Sequence, residues 1–170
     1  MKVQILIDNN DSWMWDFIKI LKKDILKLNY TCNILKSANK VEKGEILILL
    51  SCNKIFNNLN LNKYNLVVHE SDLPKGRGFS PVSWQIILGQ NTIPICLFEA
   101  DKSVDCGRIY FKDVITLKGN ELIDEIREKQ ALKSFELILR FLKCSTFPKP
   151  IKQKGNPTYF KKRNPSDSQL

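Results

Sequence analysis

Residues 65–81 of this 170-residue chain, NLVVHESDLPKGRGFSP, gather the side chains best suited to acid–base chemistry. His69 is the only histidine. An imidazole gains and loses its proton near pH ~6.5, which suits proton transfer; a histidine that merely satisfies a buried strand end is the alternative reading. Glu70, Ser71 and Asp72 follow it, and Lys75 and Arg77 then alternate with Gly76 and Gly78. Cationic donors in a glycine loop suit a phosphate or carboxylate; solvated loop charges are the alternative. Farther along, Asp105 stands in the polar stretch Val104-Asp105-Cys106-Gly107.

These residues need elements to position them. The apolar run 66–68 reads as a buried strand ending on His69. Pro74 lacks an amide hydrogen and stops the ladder. A short helix over 82–88 follows Pro81 and closes at Gly89. A strand, a basic loop and a helix in that order form a ligand site of the α/β kind, beyond a strand's carboxyl end. Earlier in the chain, residues 2–7 predict a first strand, followed by the polar turn 8–12, which can cap a helix. That turn lacks Gly-x-Gly-x-x-Gly, so no dinucleotide is indicated. Residues 13–28 carry helical period, with Met14, Phe17, Ile18, Leu21, Ile25 and Leu28 on one face. Strands follow over 30–35 and 45–50. Ser51-Cys52-Asn53 would then share a sheet edge with His69 if these strands are parallel. Residues 55–63 read as a loop or irregular helix. Further strands over 93–98 and 107–111 flank a polar connection that reads by its residues as a hairpin loop; a site that joins it to His69 needs both loops at one sheet end. Residues 121–142 form the longest helical pattern. The fold class is α/β: a Rossmann-like, mostly parallel sheet with flanking helices.

Composition narrows the function. The net charge of +9 suits a polyanion or a phosphate-bearing ligand, but it comes from scattered lysines, which argues against a nucleic-acid surface. The five cysteines are odd in number and lack Cys-x-x-Cys, and with one histidine they make no zinc set. Reduced thiols in a cytoplasmic protein are the simplest reading. No stretch is long and apolar enough to span a bilayer. After Cys144 the composition turns to proline, glycine and lysine, which divides the chain into a domain over 1–144 and an extended basic arm over 145–170.

The residues His69-Glu70-Ser71-Asp72-Leu73-Pro74, the Lys75-to-Gly78 loop and the later Val104-Asp105-Cys106-Gly107 turn resemble, in order and spacing, the signature of the folate-dependent formyltransferases. The likeness spans residues 1 to about 163. One departure stands out: the family carries asparagine two residues before the histidine, where this chain has Val67. In a regular strand Asn65 would share the face of Val67 and His69 but lie about 6–7 Å from Val67. Asp72, with Trp84 in Ser80-Pro81-Val82-Ser83-Trp84, looks more like the members that formylate UDP-linked 4-amino-4,6-dideoxy sugars of pseudaminic-acid type than like those acting on transfer RNA.

The resemblance implies a formyltransferase fold and N10-formyltetrahydrofolate as donor. It implies His69 for proton transfer and polarisation, and Asp105 to orient it and relay the amine's proton. It places the folate beside Val67, Val68, Asp101 and Val104, and a nucleotide-sugar acceptor beside Ser71, Lys75, Arg77 and Trp84. Formyl transfer to an amine needs a proton acceptor and an oxyanion donor; with valine at 67, protonated His69, a backbone amide or another amide side chain would have to supply the latter. Methionyl-tRNA formyltransfer is the alternative activity, and a non-catalytic folate- or nucleotide-binding protein the alternative of another class. In similar enzymes the basic arm leads to a further domain, expected to be absent here. A homodimer is left open.

Overall fold

The computed structural model describes residues 1–168; Gln169 and Leu170, the end of the expected arm, lie outside the described residues. Strands β1 (Lys2–Leu6), β2 (Thr31–Leu35), β3 (Gly44–Leu49) and β4 (Asn62–His69) are the parallel part of the sheet. After the short β5 (Arg77–Gly78), β6 (Thr92–Glu99) runs antiparallel to β4, and β7 (Ile109–Thr116) runs antiparallel to β6. The six-stranded sheet has the order β2-β1-β3-β4-β6-β7. This is the expected mostly parallel α/β architecture.

Helices α1 (Ile18–Lys27), α2 (Pro81–Ile87) and α3 (Ile123–Leu142) carry the connections. The pattern over 13–28 splits because Ser12 accepts from the Met14 amide and starts a 3-10 turn over Trp13–Asp16 before α1 begins. Ile18, Leu21 and Ile25 of α1 join Phe135, Ile138 and Phe141 of α3 over Ile5, Ile46, Ile48, Leu66 and Leu97. The opposite face presents Leu6, Leu47, Leu49, Val67 and Phe98, with Phe56, Leu59 and Leu61 of the β3–β4 crossover packed over part of it. Alternation along the strands decides this division: in β4, Leu66 and Val68 face α3 while Val67 faces the other way.

Two expectations are revised. β7 begins at Ile109, not Gly107, because Gly107 lies so close to Glu99 that an added Cβ would sit 1.7 Å from its carbonyl oxygen. The Asp105 loop also does not start at the sheet end where His69 stands. Because β6 is antiparallel, Glu99 pairs with Leu66 and Ala100 donates to the Asn65 carbonyl. The loop must double back over the sheet to reach His69.

The arm folds onto the domain. Ile151 bridges to Ile109, and β8 (Tyr159–Phe160) pairs in parallel with β5. Among the described residues no helix is long and apolar enough to cross a membrane.

Candidate functional site

His69 is the last residue of β4 and is 7% exposed. Its Nε2 lies 2.8 Å from the Gly76 carbonyl oxygen. A carbonyl can only accept, so Nε2 carries the proton in this arrangement. Asp105 Oδ2 stands 3.6 Å from the same nitrogen and accepts a hydrogen bond of 2.9 Å from the Gly78 amide. The basic loop thus addresses both members of the pair, one through a carbonyl and one through an N–H.

The Asp105 turn is held from several sides. Asp105 itself is left-handed (φ 52°), a conformation that costs a non-glycine residue energy and persists only where its surroundings impose it. Gly107 supplies the close approach to Glu99. At the stem, Arg108 Nε donates to Glu99 at 2.7 Å and Tyr110 Oη donates to the same carboxylate at 3.0 Å.

A cavity of about 610 Å³ opens beside the pair. Val67, Leu49, Phe56 and Phe98 form apolar wall, Val68 and Met14 line it from the helix side, and Ala100, Asp101, Val104 and Asp105 border it from the doubled-back loop. Ser51, Cys52 and Asn53 line it too, on the edge they share with His69 because β3 and β4 are parallel. The Asn53 amide is fixed by Asp8 Oδ1 at 2.6 Å. Burial pushes the Cys52 thiol up to about 12, and its Sγ contacts the Leu6 carbonyl at 3.4 Å, so it is no nucleophile here.

The structure brings six of the ten expected site residues together around this space: His69, Asp105, Val67, Val68, Asp101 and Val104. The four assigned to the acceptor lie outside its lining. Ser71 is 2% exposed. Lys75 is exposed on the loop. Arg77 Nη2 donates to Gln153 at 2.7 Å and its Nη1 to Tyr159 at 3.3 Å. Trp84 Nε1 donates to the Lys161 carbonyl and its ring stacks on Phe160 with centroids 6.4 Å apart. Asp72 is paired with Lys112 at 2.6 Å, away from the cavity.

Asn65 does not replace the missing amide. Its Nδ2 donates to the Leu59 and Asn62 carbonyls at 2.8 and 3.1 Å, which ties down the crossover. The sequence reading missed the arm residues Gln153, Thr158 and Phe160. Their only signal was polar and aromatic character in a segment otherwise composed like a linker, and their partners lie more than 45 residues upstream.

No family model matches the chain. The methionyl-tRNA formyltransferase of Rickettsia prowazekii (strain Madrid E) is 29% identical over 142 residues, 82% of this chain and 46% of that protein. The chain thus spans less than half the length of this curated relative. Methionyl-tRNA formyltransferase from Clostridium thermocellum superposes with a TM-score of 0.81 at 24% identity, over 100% of this chain and 76% of the other.

The chain has the formyltransferase fold. The formyltransferase PseJ from Anoxybacillus kamchatkensis, solved with UDP-4,6-dideoxy-4-formamido-L-AltNAc and tetrahydrofolate, shares that fold with a TM-score of 0.65 at 16% identity, over 94% of this chain and 85% of that one. Within the formyltransferase fold of this chain, the His69–Asp105 pair and the cavity beside it form the candidate centre.

Proposed function

We propose that the chain is an N-formyltransferase that takes the formyl group of N10-formyltetrahydrofolate and passes it to the amine of a nucleotide-linked 4-amino-4,6-dideoxy sugar. The observation that carries the reading is the buried His69–Asp105 pair, 3.6 Å apart, on the wall of a cavity large enough for a small organic ligand. The mixed lining fits a flat, amphipathic donor: apolar wall at Val67, Leu49, Phe56 and Phe98, polar edge at Asp101, Ser103 and Asp105. Val67, Val68, Asp101 and Val104 would hold it.

When bound, that donor supplies an activated formyl group. The chain's own residues supply position and proton management. His69 holds a proton at Nε2, available to an oxygen that displaces the Gly76 carbonyl. Asp105 Oδ2, 3.6 Å from that nitrogen, would take up the proton the amine sheds as it bonds the formyl carbon and pass it to the donor nitrogen that leaves. An amine is already a good nucleophile, so holding the reactants together supplies much of the rate. Lys54 stands on the cavity rim and Lys75 on the neighbouring loop, both suited to a diphosphate.

Methionyl-tRNA is the second acceptor, favoured by the names of the sequence relatives. Calorimetry with N5-formyltetrahydrofolate, a stable stand-in for the donor, tests the shared part of both readings. Saturable binding on the order of micromolar supports them, and no binding overturns them. Turnover with the UDP-linked amino sugar against turnover with methionyl-tRNA then decides the acceptor. Binding with no product from either amine would favour a non-catalytic folate-binding protein.

A further inference from the structure

We propose that Gln153, in the C-terminal arm, is a positioning residue for the His69–Asp105 pair. Its single side-chain amide ties the turn that carries Asp105 to the basic loop that contacts both members of the pair. Nε2 donates to the Asp105 carbonyl at 2.8 Å and to the Gly107 carbonyl at 2.8 Å, while Oε1 accepts from Arg77 Nη2 at 2.7 Å. A primary amide has two N–H groups and an acceptor oxygen, so all three contacts are met at once. A carboxylate could keep the Arg77 contact but not donate to the carbonyls; an ammonium could do the reverse.

The contacts fall where the pair is set. Arg77 lies between Gly76, whose carbonyl receives the His69 Nε2 proton, and Gly78, whose amide donates to Asp105 Oδ2. Asp105 is left-handed, with its carbonyl toward Gln153 and its carboxylate toward Gly78 and His69. Holding that carbonyl helps fix where the carboxylate points. Arm pairing on both sides sets the register of Gln153: Ile151 bridges to Ile109, and the Gly76 amide donates to Thr158 Oγ1 at 2.8 Å. The arm therefore clasps the two loops beside the centre, with Gln153 as its fastening. Its relevance to catalysis rests on the proposed formyl transfer, but the geometry can be tested without it.

Because His69 is the only histidine, the imidazole ¹⁵N–¹H spectrum of the full chain contains one ring. At alkaline pH, where the ring is neutral, the wild-type chain should show a single tautomer protonated at Nε2 and a Gly78 amide protected from exchange. Gln153→Ala should give mixed tautomers and Gly78 exchange faster by on the order of tenfold. Gln153→Glu keeps the chain length and the Arg77 contact at a half-exposed site, so it tests the donor role in a chain that folds; it should match Gln153→Ala. A wild-type ring spectrum and wild-type Gly78 protection in both variants would overturn the proposal, whatever happens to their melting temperatures. Failure of wild-type protein to bind N5-formyltetrahydrofolate would overturn the formyltransferase reading instead, and the ring spectrum would still decide the role of Gln153.

Discussion

At the His69 ring, geometry and chemistry pull in one direction. The imidazole is a donor through Nε2, so in this state it polarises an oxygen more readily than it accepts a proton, and Asp105 is the nearer candidate for the proton acceptor. Replacing His69 with alanine should lower turnover by roughly 10²–10⁴-fold, the usual worth of one positioned acid–base group. N5-formyltetrahydrofolate affinity should stay within several-fold, since the cavity wall is mostly other residues; retained turnover in a steady-state assay would refute the assignment. Val67 offers the complementary test. It is half-buried against Leu49 and Phe98 with one side on the cavity, and its own side chain offers no donor. Val67→Asn adds an oxyanion donor and should raise kcat about tenfold or more if electrostatic stabilisation limits the rate, with a loss of about 1 kcal/mol in chemical denaturation from weaker packing. An unchanged kcat would mean the charge is already met elsewhere. His69 stood out in the sequence as a lone histidine at a strand end, whereas Asp105 stood out only through the family's Val-Asp-x-Gly turn, since the residues around it read alone as a hairpin connection. The arm contacts of Arg77 and Trp84 were not legible, because their partners, Gln153, Tyr159 and the Lys161 carbonyl, come from about 75–80 residues downstream, beyond the reach of any local pattern.

Among the elements, the parallel strands and long helices announced themselves through apolar runs and 3.6-residue periodicity, which follow from burial on one or two faces. The tail of β7 did not, because Lys112, Asp113 and Val114 mix charge and apolar character on half-exposed backbone. The β5–β8 ladder did not because two residues on each side carry no periodicity. That ladder depends on Phe160, which stacks on Trp84 and covers Gly76, so Phe160→Ala should cost about 1–2 kcal/mol in a denaturation series followed by tryptophan fluorescence. Loss of less than a few tenths would mean the clasp is held by backbone pairing alone. The turn into α3 is set differently. Glu121 accepts from the Lys118 and Gly119 amides and pairs with Lys129, contacts that push its carboxyl down from 4.5 to about 2. A depressed carboxyl favours the folded state fully above its unfolded value, and that contribution is lost as pH falls through the folded one. Stability measured between pH 4.5 and 2 should therefore drop more steeply in wild-type protein than in Glu121→Gln. Parallel curves would remove Glu121 as the cause.

Taken as one molecule, the chain carries a charge of +9 from lysines scattered along its sequence. Lys27 is paired with Asp24, Lys112 with Asp72, Lys129 with Glu121, Lys133 with Asp113 and Glu136, and Lys161 with Asp167, on surfaces spread from α1 to the arm. The exposed pairs among them contribute little to stability, and each pair takes a lysine out of play for a polyanion, because its charge is already met by an acid. RNA affinity grows with the number of phosphates neutralised together, and each adds close to one unit to the slope of log K against log salt. Scattered, partly paired lysines should therefore bind RNA weakly and with a shallow slope, while a diphosphate at the cavity mouth needs only one or two cations. Fluorescence anisotropy of a labelled initiator tRNA across a salt series decides between the acceptors at this scale. The sugar reading expects a Kd weaker than about 10⁻⁵ M near physiological salt and a slope no steeper than about −3. Tighter binding with a slope of about −5 or beyond would mean that lysines from several elements converge on one backbone, and the transfer-RNA acceptor would then displace the nucleotide sugar.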